Sequence, residues 1–318
     1  MERFVELAPG RCWWCGAVAD SREHKIKRSD LVQEYGKPPY RGMRALTLFS
    51  GGDRRDFQGP KSDVLKFAPS MCERCNNAES QRFDRAWERF TTHLVTAETQ
   101  VLRSATVDLR AAFGEQWRTV GEDAVRYVAK HLLCRIVQDL EGPIRLPVVW
   151  RDYLDGGSRP ASFELDLRLD RSVAAMIAMT SAAPRPEDPE AADAGFVALG
   201  PLGCVVNRRS GQWHSPQSSL FYRWLGVYWR IGPERTGSTP FTEPRLRLRE
   251  CDAYWGPGVR ATFEALTGVP SGLLTETMSP VEMLASLRDA GYDAAADRLA
   301  GTAREAGLAD DPRLGAWG

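Results

Sequence analysis

Net charge is the first thing this sequence lacks: 42 Lys and Arg balance 42 Asp and Glu over 318 residues. No global field therefore steers the molecule onto nucleic acid, and any basic surface has to be local. Long apolar runs are missing too. No window approaches the ~20 apolar residues of a membrane-crossing helix, so no membrane partner is expected. The opening Met1-Glu2-Arg3-Phe4-Val5-Glu6 has no basic start followed by an apolar stretch, which argues against a secretory leader. A cytoplasmic location is the expectation, and there paired cysteines favour metal over disulfide. Repeats and low-complexity tracts are absent.

What the chain does have is cysteine in a particular spacing. Four of its seven cysteines form two pairs, Cys12-Trp13-Trp14-Cys15 and Cys72-Glu73-Arg74-Cys75. A two-residue spacer lets a tight turn aim both thiolates at one ion, so two such pairs can close a tetrahedral zinc site. Gly16 follows the first pair, where the backbone must bend back toward the metal. Four thiolates fill the shell of a zinc ion, which makes that zinc structural. Cys134, Cys204 and Cys251 have no pair spacing and read as buried thiols.

The remaining pattern predicts an α+β fold. Leu31 and Val32 mark a short helix, and Ala45-Leu46-Thr47-Leu48-Phe49 reads as a strand inside a Gly- and Pro-rich stretch over 36–62. Residues 63–71 read as a strand leading into the second cysteine pair. A helix should begin near Asn76, because Phe83, Trp87, Phe90 and Leu94 recur on one helical face. A second helix should span roughly 122–140, with Val125, Val128, Ala129, Leu132, Ile136 and Leu140 on one side and Gly142-Pro143 as its stop. Strands are expected at 162–169, 196–206 and 220–231, exposed loops at 181–194 and 232–244, and two short helices in the last forty residues. The division that follows is a small N-terminal unit over 1–95 and a larger region over 96–318, helical to 142 and mixed beyond.

Between the cysteine pairs lies Ser21-Arg22-Glu23-His24, and Asn76 directly follows the last paired cysteine. Hydrolysis of a phosphodiester needs an activated water and a counter-charge for the phosphate. An imidazole with an ordinary pKa of ~6.5 can take a proton from water near neutral pH. One carboxylate and one amide oxygen can hold a Mg²⁺ ion that keeps several sites open. Cys12-x-x-Cys15-Gly16, Glu23-His24 and Cys72-x-x-Cys75-Asn76-Asn77, followed by Ser80 and Asp84, resemble the HNH (ββα-metal, treble-clef) endonuclease family. The resemblance covers residues 10–90, under a third of the chain. It is similar to members whose zinc is held by two such cysteine pairs, including phage-type junction resolvases. The resemblance implies that His24 is the general base, that Glu23 and Asn76 ligate a catalytic Mg²⁺ or Mn²⁺, and that Cys12, Cys15, Cys72 and Cys75 hold zinc. Two departures stand out. Many members follow the His with an apolar residue, Pro and one basic residue, whereas here the run is Lys25-Ile26-Lys27-Arg28. Fifty-six residues also separate the two pairs.

DNA is the expected substrate, met by Lys25, Lys27, Arg28, Arg54 and Arg55 within a stretch, 22–66, that carries eleven Lys and Arg against six Asp and Glu. The same stretch also fits an ordinary solvated face, as do Arg41, Arg44 and Lys61. Two rivals stay open: a catalytically dead zinc-bearing nucleic-acid-binding module, and a nuclease directed at RNA or junctions. A small nuclease fused to a larger region is by analogy the build of many bacterial anti-phage effectors. The region over 96–318 would then choose the substrate, or bind a protein partner or regulatory ligand. Asn76 equally suits an N-cap. Asp84 reads as a surface carboxylate, and His93, His131 and His214 as packing residues far from acidic or cysteine neighbours in sequence.

Overall fold

A computed structural model describes residues 4–40, 46–50, 53–139, 144–170, 199–209, 212–231, 240–251, 270–273 and 280–305. The N-terminal segment opens with β1 (Phe4–Leu7), passes the first cysteine pair and forms α1 (Arg28–Tyr35). β2 (Leu46–Ser50) and β3 (Asp53–Phe57) make an antiparallel ribbon with Leu46 opposite Phe57. The strand expected around 45–49 is thus present. The strand expected over 63–71 is only half made. Its first residues, Asp63–Leu65, form a 3-10 turn, and the rest runs sparsely alongside residues 21–25. Lys25 N donates to Leu65 O at 2.7 Å, Phe67 N to Glu23 O at 2.9 Å and Ser21 N to Met71 O at 2.9 Å. Pro69 sits inside this run and has no N–H to offer a ladder, which accounts for the gaps.

From within the second cysteine pair the chain makes a π turn over Arg74–Glu79, closed by Ser80 N on Cys75 O at 3.2 Å. It then settles into α2 (Gln81–Thr96). Phe83, Trp87, Phe90 and Leu94 are all buried there, as their spacing predicts. α3 (Glu98–Ser104) and β4 (Thr106–Asp108) follow. α4 (Leu109–Phe113) is capped by Asp108, whose carboxylate accepts from Arg110 N and Ala111 N. α5 (Trp117–Asp139) is the helix expected at 122–140, with an earlier start. Val125, Val128, Ala129, Leu132 and Ile136 are buried. It packs against α2 through Trp87 stacked on Tyr127, with centroids 5.0 Å apart.

β5 (Ile144–Pro147) pairs antiparallel with β1 and leads into α6 (Val148–Leu154). The remaining strands are β6 (Phe163–Asp170), β7 (Leu199–Arg209), β8 (Gln212–Tyr222), β9 (Leu225–Ile231), β10 (Arg245–Arg247) and β11 (Arg249–Cys251). Five of them form one sheet in the order β11-β6-β9-β8-β7, antiparallel except where β11 runs parallel to β6. β10 pairs with β4. The run expected as one strand over 220–231 is two, because the chain reverses at Arg223-Trp224 with Arg223 left-handed at φ 53°. α7 (Pro280–Asp289) and α8 (Asp293–Glu305) are the two expected C-terminal helices. Leu140, Gly142-Pro143, the loop expected at 181–194 and most of 232–244 lie outside the described residues.

One apolar core joins Cys12, Trp13, Trp14, Cys72 and Cys75 to α2, α5, α6, the sheet and the two last helices. A smaller cluster of Ile26, Leu31, Tyr40, Phe57 and Leu65 ties α1 to the β2–β3 ribbon. The mixed helix and strand content is that of an α+β protein, and among the described residues no helix is long and apolar enough to cross a membrane.

Candidate functional site

The first cysteine pair lies on a tight knuckle. Cys12 N donates to Ala17 O at 2.7 Å and Gly16 N to Cys12 O at 2.8 Å, with Gly16 left-handed at φ 82°. Trp13 N donates to Ser70 O at 3.1 Å, which draws the knuckle against the segment carrying the second pair. The four Sγ atoms of Cys12, Cys15, Cys72 and Cys75 all lie within 4.8 Å of one another, and Cys15 and Cys72 approach to 3.5 Å. Sulfurs held at about 2.3 Å by one tetrahedral ion stand about 3.8 Å apart, so the nest has the dimensions of a four-thiolate metal site. None of the four is in a disulfide. The thiol hydrogen bond from Cys75 pulls the Cys12 pKa down to about 4, and the same contact with burial pushes Cys75 well up. One thiol thus ionises at another's expense, a conflict that a bound dication such as zinc removes. Among the described residues, no other group of three Cys, His, Asp or Glu converges in this way.

A second polar centre is assembled around Glu23. The carboxylate is buried at 7% exposure, and its Oε2 accepts from Lys130 Nζ at 3.1 Å. Lys130 is wholly buried on α5 and also reaches Asp84 Oδ1 at 3.1 Å, Asp84 Oδ2 at 3.3 Å and Ser80 Oγ at 3.3 Å. Burial alone would raise the Glu23 pKa, but the Lys130 ammonium, with His131 close by, brings it down to about 2. The other oxygen, Oε1, stands 3.5 Å from His131 Nε2, too far for a good hydrogen bond. Both ring nitrogens of His131 are buried without a hydrogen-bond partner among the described residues.

His24 follows on the same segment, half-buried, opposite Lys66. Burial lowers its pKa from the ordinary 6.5, and the nearby Glu23 charge works against that. Asn76 is buried next to the thiol nest, and its Nδ2 donates to Ser21 Oγ at 3.0 Å. Its Oδ1 is buried with no partner among the described residues. No side-chain cap bond accompanies the start of the π turn or of α2. Asn76 connects to Glu23 by relay: Ser80 Oγ donates to Asn76 O at 2.6 Å and accepts from Lys130, which holds Glu23.

The basic residues divide. Arg28 and Arg55 are exposed, and Lys25 is half-buried with its ammonium 6.0 Å from the Phe67 ring. Lys27 turns inward to the Asp84 backbone carbonyl and to Glu88, 3.2 Å away. It is therefore spent on α2 and offers little charge to a phosphate. The Arg54 side chain lies outside the described residues. Asp84 is no plain surface carboxylate, since it shares Lys130 with Glu23.

Lys130 and His131 escaped the sequence reading. His131 looked isolated because its acidic partner lies more than a hundred positions away. The sequence offered only a partial signal, a lysine inside the largely apolar helical run from Ala124 to Cys134, and the structure shows that this lysine is buried and paired. Compared with known proteins, the chain matches no family model, no curated protein and no solved structure.

Proposed function

We propose that the protein is a metal-dependent endonuclease of the HNH type that hydrolyses phosphodiester bonds in DNA. In this reading residues 1–95 form a treble-clef, ββα-metal unit around a structural zinc, and residues 96–318 select the substrate or bind a partner. The observation that carries it is the orphaned Oδ1 of Asn76, buried beside the thiol nest while its Nδ2 is fixed by Ser21. A buried acceptor without a donor costs about 1–3 kcal/mol, and a cation is the ligand that an oxygen-only acceptor suits. In this reading Glu23, two residues from Ser21, would supply the carboxylate of the donor set. Mg²⁺ or Mn²⁺ held there by Glu23 and Asn76 would supply charge for the phosphate and the leaving oxygen. His24, kept neutral by partial burial, would accept the proton of the attacking water. Arg28 and Arg55 remain exposed for contact with the phosphate backbone.

Lys130 favours a second reading. Its ammonium already neutralises Glu23, which fits a zinc-bearing nucleic-acid-binding module without cleavage. Plasmid DNA incubated with Mg²⁺ or Mn²⁺ separates the two. Cleavage by the wild type that falls about 10²–10⁴-fold in His24→Ala, with DNA affinity and zinc content kept, supports the nuclease. Binding with no cleavage under any divalent ion selects the module.

A further inference from the structure

We infer that His131 is a ligand of a second, non-thiolate cation site at Glu23, and that this site takes a transition dication such as Mn²⁺ in preference to Mg²⁺. The inference rests on reading Glu23 as a cation ligand. It adds a residue from α5, outside the stretch that carries the resemblance.

Three observations support it. His131 is 5% exposed, yet neither ring nitrogen has a hydrogen-bond partner among the described residues. A buried imidazole normally satisfies at least one nitrogen, so an orphaned ring asks for a missing ligand. Its Nε2 stands 3.5 Å from Glu23 Oε1. A dication holding nitrogen and oxygen at about 2.1 Å each places those atoms roughly 3–3.5 Å apart. Finally, the ring is wedged between Tyr127, with centroids 4.5 Å apart, and Phe67, at 5.8 Å, so its orientation is set before any ion arrives.

Lys130 shapes the site in two ways. It takes Glu23 Oε2 and leaves Oε1 on the His131 side. Its positive charge opposes a dication, while Asp84, 3.1 Å from the same ammonium, offsets that charge. A nitrogen ligand then shifts the preference away from Mg²⁺, which takes oxygen donors and gives up water reluctantly.

The test uses full-length, zinc-loaded protein titrated with MnCl₂ and read by electron paramagnetic resonance. The expected result is one Mn²⁺ equivalent beyond the zinc, with pulsed spectra showing modulation from a directly bound imidazole nitrogen. That modulation persists in His24→Ala, His93→Gln and His214→Gln and disappears in His131→Gln, whose Mn²⁺ affinity falls at least about tenfold. The three other histidine variants assign the nitrogen even if His131→Gln does not fold. Absence of nitrogen modulation, its loss in His24→Ala, or unchanged affinity in a folded His131→Gln overturns the assignment. Mn²⁺ bound through His131 with no plasmid cleavage leaves this site standing and sinks the nuclease. Cleavage that needs Glu23 but ignores His131 does the reverse.

Discussion

Lys130 Nζ lies 3.1 Å from both Glu23 Oε2 and Asp84 Oδ1, joining an ammonium of α5 to a carboxylate 107 residues earlier in the chain. Removing one partner of such a buried pair costs more than the pair itself contributes, because a charge is left uncompensated. Lys130→Met should destabilise the protein by about 3–5 kcal/mol in urea unfolding. Adding Glu23→Gln should recover at least about 1 kcal/mol of that loss in a double-mutant cycle. An additive cycle would show that the two groups do not interact.

The thiol nest predicts about one equivalent of bound zinc in protein purified without added metal, held by Cys12, Cys15, Cys72 and Cys75. Cys72→Ser should release most of it and lower the melting temperature. Trp13 and Trp14 lie between the first two ligands, stacked with centroids 6.0 Å apart, so chelation should also change the indole fluorescence. A disulfide between any two of the four, found by mass spectrometry of freshly purified protein, would contradict the site.

Asp30 supplies a pH dependence. It is buried on α1, accepts from Trp87 Nε1 at 3.4 Å and Thr91 Oγ1 at 3.5 Å, and burial raises its pKa from 3.8 to about 7. The folded state therefore keeps a proton that the unfolded chain loses above the ordinary carboxylate range. Its contribution is complete below that range and is lost as pH rises through about 7. Asp30→Asn should be close to wild type near pH 3 and gain on it steadily as pH rises to 8, by on the order of a few kcal/mol at most. Equal melting temperatures across that pH range would show that folding does not raise the Asp30 pKa.

Arg223 anchors the β8–β9 turn to the helical layer. Its Nη1 contacts both Glu34 oxygens at 2.8 and 2.9 Å, and its Nε and Nη2 reach Glu98 at 3.1 Å. Trp224 Nε1 donates to the same Glu98 at 2.6 Å. The Glu34 side chain is only 6% exposed, so Arg223→Ala strands a buried carboxylate and should cost about 3 kcal/mol. Arg223→Lys should recover only part, since one ammonium cannot bridge two carboxylates as a guanidinium fork does. Full rescue by lysine would mean that net charge alone matters at this turn.

The local and periodic features were legible in the sequence. Cys-x-x-Cys spacing announces a thiol nest, and four aromatic and aliphatic residues from Phe83 to Leu94 announce a helical face, because both signals live within about three helical turns of chain. Glu23 and Asn76 could be singled out for their neighbours. What could not be read was the third wall of the site. Lys130 and His131 sit in a helix whose face could be read, but their partners Glu23 and Asp84 are set by how α5 packs on α2 and on the segment carrying Glu23, which lies more than a hundred residues away. The break at Arg223 was hidden for another reason: a left-handed arginine carries no turn signature of the kind Gly or Asn gives. The half-made strand over 63–71 shows the opposite case, a pattern read too generously across Pro69.

The π turn over Arg74–Glu79 makes the chain tolerant of exchange but intolerant of loss. Asn77 and Ala78 are exposed there and Glu79 makes only a surface ion pair with Arg74, so their side chains tolerate exchange. Length is another matter. Each residue of an α-helix advances the phase by about 100°. Deleting Asn77 would let the turn relax to ordinary α pitch and rotate everything downstream by roughly that angle relative to Cys75. Phe83, Trp87 and Phe90 would leave the core together, and Asp84 would swing off Lys130. One extra residue on the surface thus sets the phase between the thiol nest and the carboxylate cluster.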